Sequence, residues 1–124
     1  MPVVEIVIPE GVVTIGSSAF YRCIGLRKVV LPSTVTTLCS SAFTACVYMK
    51  EVDMSKTQIT QIKSSQFTGC VNLMHLKFTV TIKEIGSCVT NTIISSLEGK
   101  HVLFITGYSD GPAETFAENN GYYF

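Results

Sequence analysis

The sequence predicts a β-dominated α/β repeat protein in which short parallel strands stack into a solenoid. A motif recurs at nearly constant intervals along the chain, so that Phe20, Phe43 and Phe67 occupy equivalent positions. Apolar residues alternate with other residues within each repeat, which is typical of a short half-buried strand. Val and Ile together number 25 against 7 Leu, and these β-branched residues favour strands over helices. A parallel β-helix is the competing architecture for the same pattern.

The strand of each repeat is marked by inward-facing apolar residues and by the residue that follows them. Pro9 and Pro32 come directly after two of these segments, and proline ends a strand because it cannot donate a hydrogen bond to the sheet. One strand per repeat is therefore expected. The apolar positions, of which the last two in each segment alternate, are Leu26, Val29 and Leu31, then Met49, Val52 and Met54, then Leu73, Leu76 and Phe78.

Each repeat carries two further apolar anchors after its strand, so that one coil has three inward corners. A single coil of this kind cannot bury its apolar side alone, whereas stacked coils share one core and pair their strands in parallel. After Ile85 the repeat decays, because Thr90 stands where the next Phe is expected, and a terminal cap is predicted there. The anchors are Ile15, Leu38, Ile62 and Ile85 at the second corner, and Ala19-Phe20 and Ala42-Phe43 at the third.

Length and composition limit the class of protein. The 124 residues suffice for one domain, and nine basic and nine acidic residues exclude a strongly basic nucleic-acid-binding protein and an acidic disordered tail. Val, Ile, Leu and Phe make up about a third of the chain, enough for a folded core. The longest uncharged stretch, residues 29–49, contains a proline and seven Ser or Thr residues, so no membrane insertion is expected. The first residues lack a basic and a long apolar region, and no signal peptide is expected in this chain.

The cysteines and histidines give little indication of a chemical site. Five cysteines are an odd number, so they cannot all pair within one chain. Cys23, Cys46 and Cys70 fall one to a coil, whereas zinc ligands come at closer spacings, and we expect small buried thiols. The only histidines, His75 and His101, are not placed beside this cysteine ladder, and no phosphate-loop or zincin motif is present. The sequence therefore predicts no catalytic residue, no metal site, no cofactor and no enzymatic activity.

The outward-facing side of the strands, here called the strand face, is the candidate binding surface. Its charges are of both signs, and regular outward positions on a curved solenoid are where repeat proteins usually bind their partners. A protein partner is therefore expected. Nucleic acid is not, because the face has no stripe of Lys and Arg with interleaved aromatic residues. Ordinary solvated strand residues are the alternative interpretation. The predicted ligand-binding residues are Lys28, Val30, Glu51, Asp53, His75 and Lys77.

The first repeat indicates a second way in which the chain could associate. Val3, Ile6 and Ile8 would form a coil with an open outer side, and terminal repeats normally need a polar cap. An apolar strand left open in this way favours pairing. The sequence therefore predicts either further repeats upstream or a homo-oligomer formed through this uncapped N-terminal end. A structural or self-associating segment of a larger repeat protein, without its own ligand, is the alternative function.

The repeat resembles that of the BspA-like leucine-rich repeat family, found in surface proteins of bacteria and of some parasitic protists. Repeats of that family resemble Ile-Pro-x-x-Val-x-x-Ile-Gly-x-x-Ala-Phe-x-x-Cys-x-x-Leu, and the similarity covers roughly residues 3–88. It departs at Gln66, where the family has Ala, and throughout residues 87–100. The resemblance implies a right-handed leucine-rich-repeat solenoid at residues 1–97, with one parallel strand per 23–24-residue coil. It also implies a cell-surface or extracellular protein that functions in adhesion or in recognition of host or neighbouring-cell proteins.

Residues 98–124 are predicted to be a C-terminal capping segment of the same domain. The end of the chain is similar to the closing segment of bacterial family members, in which a last strand, a short helix and a final hydrophobic residue seal the solenoid. Independently of that resemblance, Asp110-Gly111 is typical of a turn. Pro112 suits the first position of a helix, and Gly121 suits its C-terminal stop.

Overall fold

Parallel strands, one for each coil, form the main sheet of the fold. A computed structural model describes residues 4–62, 66–86 and 103–124, and within these ranges the chain forms nine strands and one helix. They are β1 (Val4–Val7), β2 (Thr14–Ile15), β3 (Leu26–Val30), β4 (Thr37–Leu38), β5 (Glu51–Asp53), β6 (Gln61–Ile62), β7 (His75–Lys77), β8 (Glu84–Ile85), β9 (Phe104–Thr106) and α1 (Pro112–Asn120). Strands β1, β3, β5, β7 and β9 make one five-stranded sheet in that order, while β2 pairs with β4 and β6 with β8. The predicted β-dominated solenoid of parallel strands is confirmed.

The strand register follows the repeat in the sequence. Lys28 lies between Glu5 and Glu51, which occupy the equivalent positions of the preceding and the following coil. Glu51 pairs next with His75, its equivalent in the third repeat once the extra residue of that repeat is allowed for. Equivalent positions of successive coils therefore lie side by side, and every second residue of a strand shares one face of the sheet.

The three inward corners predicted for a coil are all present in the second coil. Val29, Leu38 and Phe43 supply one corner each, and all three side chains are buried. The ring of Phe43 stacks between Phe20 and Phe67, with distances between ring centroids of 5.3 and 5.9 Å. This aromatic column connects three successive coils through their shared core.

The first coil is less buried than the second. Ala19 is exposed and Phe20 is only partly buried, although the repeat predicts that both face the core. In the second coil the equivalent Ala42 and Phe43 are fully buried. The difference arises because described coils cover the second coil on both sides, whereas they cover the first on one side only.

Gln66 takes the place of the alanine in the preceding repeats and is nevertheless fully buried. Its side-chain oxygen accepts a hydrogen bond from the main-chain N–H of Ala42 at 3.0 Å. Its side-chain nitrogen donates to the carbonyl oxygen of Leu38 at 3.3 Å. A buried amide is tolerated when it is hydrogen-bonded, and here the partners are main-chain groups of the previous coil.

Helix α1 has the ends that the sequence predicts. It begins at Pro112, where the missing N–H of proline costs little because the first N–H groups of a helix have no partner in the helix. It stops at Gly121, whose φ of 71° lies in the left-handed region that favours glycine. The N–H of Gly121 points back to the carbonyl groups of Ala117 and Glu118, which completes the cap.

The end of the chain closes the outer edge of β9. Tyr123 forms a parallel bridge with Phe104. The N–H of Ile105 donates to the carbonyl oxygen of Tyr123 at 2.7 Å, and the N–H of Tyr123 donates to that of Leu103 at 3.0 Å. The edge of the sheet is therefore covered where the stack of strands ends.

Several predictions fall outside the described residues. They concern Val3, Cys88 and His101, the decay of the repeat at Thr90, and the boundary between repeats and cap at residues 97 and 98. These stay predictions.

Candidate binding surface

The outward side chains of the main sheet form two rows, and all six predicted binding residues lie in them. The residues between the rows, Val29, Val52 and Leu76, point into the core and are fully buried. The predicted alternation along the strands is therefore confirmed, while the role of the six residues in binding stays a prediction. The rows are Lys28, Glu51 and His75, and then Val30, Asp53 and Lys77.

Glu51 lies at the centre of a chain of ion pairs. Its Oε2 atom is 3.2 Å from Nζ of Lys28 on β3 and 3.5 Å from Nζ of Lys77 on β7. Contact with the Glu51 carboxylate raises the pKa of Lys28. Glu51 thus forms ion pairs with both lysines within the chain, so the centre of the strand face offers a partner less unpaired charge than the sequence alone indicates.

Asp53, beside Lys77 in the second row, is held in place by Ser55. The Oγ of Ser55 donates a 2.6 Å hydrogen bond to Oδ1 of Asp53, and the N–H of Ser55 donates a second one of 2.9 Å. Partial burial acts to raise the pKa of Asp53, but these hydrogen bonds, with Lys77 and Lys28 nearby, outweigh it and lower the pKa. The carboxylate is therefore ionised at neutral pH and has one preferred orientation.

Strand β9 extends the strand face beyond the residues that the repeat period predicts. Phe104 lies next to His75, and Thr106 lies next to Lys77. The Nε2 atom of His75 is 2.6 Å from Oγ1 of Thr106, and its ring lies 6.5 Å from that of Phe104, measured between centroids. The period misses these residues because the chain from β7 to β9 is longer than one coil of the repeat. The alternation around the inward-facing Ile105 is the local signal that could have found them.

An exposed aromatic pair, here called the Phe104–Tyr123 pair, lies at the end of the strand face. The two rings stack with their centroids 5.3 Å apart and their planes inclined by 25°. Phe104 is 44% exposed and Tyr123 is 59% exposed. The main-chain bridge between the two residues fixes this arrangement, so the pair does not depend on contact with a partner.

A second aromatic contact lies where the strands begin. The guanidinium group of Arg27 lies over the ring of Tyr48, 4.6 Å from the centroid, and its Nη1 donates to the carbonyl oxygen of Tyr48 at 3.4 Å. Tyr48, Lys50 and Met74 are exposed beside it. This edge is more basic and apolar than the paired centre of the strand face.

The cysteine ladder is part of the core. The Sγ of Cys46 donates to the carbonyl oxygen of Phe20 at 2.9 Å, and that of Cys70 donates to Phe43 at 3.0 Å. Both thiols are buried, as predicted, whereas Cys23 is partly exposed. Contact with the Cys46 thiol and burial raise the pKa of Cys70, so this thiol is protonated at neutral pH and is a poor nucleophile.

Two clefts lie away from the strand face. One, of about 470 Å³, is formed by β8 and α1 and is lined in part by Lys83 and Tyr108. The other, of about 510 Å³, is lined largely by hydroxyl groups, including those of Thr37 and Ser40.

Within the described ranges, no three His, Cys, Asp or Glu residues are grouped so that they could hold a metal ion. The helix found there is too short to cross a membrane.

The repeated coil also occurs in a known family of proteins. A family model described as the BspA type leucine rich repeat region matches residues 2–108 in six copies. The chain belongs to this family. The matched part of this BspA-type protein includes all five strands of the main sheet, and it ends before helix α1 and Tyr123. The family and its fold are typical of repeat proteins without enzymatic activity.

Solved structures of bacterial leucine-rich repeat proteins share the fold. One from Bacteroides ovatus is 24% identical with a TM-score of 0.63, over 83% of this chain and 29% of that protein. The leucine-rich repeat protein of T. pallidum is 24% identical with a TM-score of 0.61, over 85% and 52%. A leucine-rich cell surface protein from Faecalibacterium prausnitzii is 22% identical with a TM-score of 0.63, over 90% and 33%.

This BspA-type chain therefore spans about a third to a half of the length of these structural neighbours. A search of curated proteins gave no match.

Proposed function

We propose that this BspA-type chain is a protein-binding module that recognises proteins of a host or of a neighbouring cell through its strand face. The observation that carries the proposal is the arrangement of the six predicted residues. All six are partly exposed and adjacent, on strands whose intervening residues are fully buried. A surface of side chains on a sheet that the core holds in place is suited to binding a folded partner, because little order has to be gained on association.

The proposed location is the cell surface. It is supported by the family and by the F. prausnitzii structure, whose protein is described as a cell surface protein. At such a location the partners would be extracellular-matrix proteins or proteins of an adjacent cell.

The test is binding of the purified chain to a panel of immobilised extracellular-matrix proteins and to intact host cells. A charge-swapped variant, Lys28→Glu with Glu51→Lys and Lys77→Glu, inverts the charges at the centre of the strand face, and each of the two ion pairs at position 51 still joins opposite charges. Lys56→Glu is the matched control, because Lys56 is exposed in the turn after β5 and the change in net charge is the same. We expect the charge-swapped variant to lose binding while the control binds like the original chain.

Two results would contradict the proposal. One is equal binding by the original chain, the charge-swapped variant and the control. The other is binding by none of them to any member of the panel, which would favour a structural segment. Circular dichroism of all three proteins shows whether the fold is retained.

Self-association is a second candidate function, and the first coil favours it. Val7 is 71% exposed and Val13 is 51% exposed, and Ile6 and Ile8 are only partly buried. Apolar side chains of this size favour contact with a second surface. Sedimentation equilibrium is the test: a mass that rises with concentration supports self-association, and a constant monomer mass contradicts it.

A further inference from the structure

The centre of the strand face is a weak place for a partner to gain binding energy. The carboxylate of Glu51 already pairs with Lys28 and Lys77. A partner that competes for these charges must first separate them, and partly exposed ion pairs contribute little on balance. Affinity for a protein partner therefore has to come largely from another part of the same surface.

The Phe104–Tyr123 pair has the properties of such a part. Tyrosine is enriched among the residues that dominate binding energy at protein interfaces, and large rigid rings lose little conformational entropy on binding. The bridge of Tyr123 to β9 holds the two rings together before any partner arrives. His75, fixed by its contact with Thr106, borders the pair on the side of β7.

Lys77 adds a charge beside this apolar site. Its acidic neighbours, Glu51 and Asp53, both lie on β5. On the side of β9 its neighbour is Thr106, a neutral residue. An acidic group of a partner can therefore approach Lys77 from β9 without displacing Glu51.

We infer that the Phe104–Tyr123 pair, with Lys77 beside it, is the anchor site for a partner peptide segment that carries an aromatic or large aliphatic side chain next to an acidic residue. The apolar side chain packs on the two rings, and the carboxylate pairs with Lys77 over Thr106. The inference rests on the proposed function, since it names the part of the strand face that supplies most of the affinity and the chemistry that it recognises.

The test is selection of a phage-displayed random peptide library on the folded chain, followed by affinity measurement for the enriched peptides. We expect enrichment of peptides with Trp, Phe or Leu adjacent to Asp or Glu. The double variant Phe104→Thr with Tyr123→Thr removes both rings and keeps residues that favour strands. It should bind these peptides at least about 30-fold more weakly, the loss that a single hot-spot side chain alone would give. Tyr21→Thr is the control, since it removes a ring that is 50% exposed on the first coil and should leave affinity unchanged.

A second measurement keeps the inference testable if the double variant unfolds. Thr106→Glu places a carboxylate where the acidic group of the peptide would bind, and should weaken binding about tenfold, the loss expected for a charge-assisted contact. Replacing the acidic residue of the peptide by its amide should have a similar effect on the original chain. Equal affinity in both experiments would overturn the inference, and so would a library from which no such peptide is enriched.

These results are separable from those of the protein panel. If the charge-swapped variant loses binding to a panel protein and the Phe104→Thr/Tyr123→Thr variant does not, the strand face binds proteins and this anchor site is wrong. If peptides bind at the pair and no panel protein binds, the anchor site stands and the proposed extracellular partners are wrong.

Discussion

The main-chain N–H of Ala42 donates a 3.0 Å hydrogen bond to the side-chain oxygen of Gln66, one coil further along the chain. This bond lies where the ladder of small strands is interrupted, because β4 pairs with β2 and β6 pairs with β8. The third repeat contains its extra residue in the same place, just before Ile62. The buried amide thus supplies hydrogen bonds to two main-chain groups at the step where the third repeat is one residue longer than the first two.

Removing this amide should destabilise the fold. In Gln66→Leu the N–H of Ala42 and the carbonyl group of Leu38 lose their bonds to the side chain, and a buried polar group left without a partner costs about 1–3 kcal/mol. Urea denaturation measures the free energy of unfolding. Gln58→Leu is the control, because Gln58 is exposed. Equal stabilities of the two variants would show that the amide bonds contribute nothing.

The rings of the aromatic column should contribute unequally to the free energy of unfolding. Phe43 is fully buried between two rings, so Phe43→Ala should lower the free energy of unfolding by about 3–5 kcal/mol. Phe20 is only partly buried, and Phe20→Ala should cost clearly less. Thermal or urea denaturation of both variants measures the order, and a larger loss for Phe20→Ala would contradict the structure.

The ion pairs of Glu51 should show a dependence on salt. Glu51→Gln removes the contacts with Lys28 and Lys77, each worth about 0.2–1 kcal/mol for partly exposed pairs. The difference in stability from the original chain should shrink as salt approaches about 1 M, since screening weakens the original pairs. Lys28→Gln, which removes one pair, is the intermediate case. A difference that is independent of salt would mean that Glu51 acts through packing.

Stability should depend on pH through Asp53. Its pKa in the folded chain is below that of an unfolded aspartate, about 3.9, so its charge stabilises the fold above that pH. The contribution is lost as pH falls through the folded-state pKa. Asp53→Asn should therefore be less stable than the original chain at pH 7, and the difference should shrink as the pH falls below the pKa of an unfolded aspartate. Ser55→Ala, which removes one hydrogen bond to Asp53, should show a smaller difference with the same sign.

The thiols should react in an order set by burial. Among the four cysteines that the structure describes, Cys39 is partly exposed and should be the first to react with iodoacetamide in the native chain, with Cys23 slower because burial and the nearby Cys46 raise its pKa. Cys46 and Cys70 should react only after unfolding, since both are buried. Mass spectrometry of peptides after timed labelling gives the order. Early labelling of Cys70 in native buffer would contradict the cysteine ladder as described.

Much of the fold can be predicted from the repeat period, because residues one repeat apart in the sequence become neighbours when the coils stack. A constant repeat length places Glu5, Lys28 and Glu51 side by side, and the structure has this register. The same argument fails for Ala19, since burial of a corner also requires a coil on each side. It gives no account of Gln66 either, because a residue count does not say where a side chain finds hydrogen bonds.

The candidate site was predictable in its positions and less so in its chemistry. Alternation along the strands places Lys28, Glu51 and Lys77 on one surface, but it does not show that their charges neutralise one another. The repeat period does not predict the position of Phe104, because the chain between His75 and Phe104 is longer than one coil. The period does not predict the position of Tyr123 either, because Tyr123 joins the sheet through a single bridge and is not part of a repeat.

The alternation of charge on neighbouring strands has a consequence for changing the length of the molecule. Glu5, Lys28 and Glu51 repeat their sign only after two coils, although the backbone repeats after one. Duplicating a single coil would set two like charges of this row against each other, whereas an inserted copy of residues 5–50 would keep each charge of the row beside an opposite one. Internal insertions that keep this charge pattern therefore add two coils at a time, which lengthens the sheet by about 10 Å.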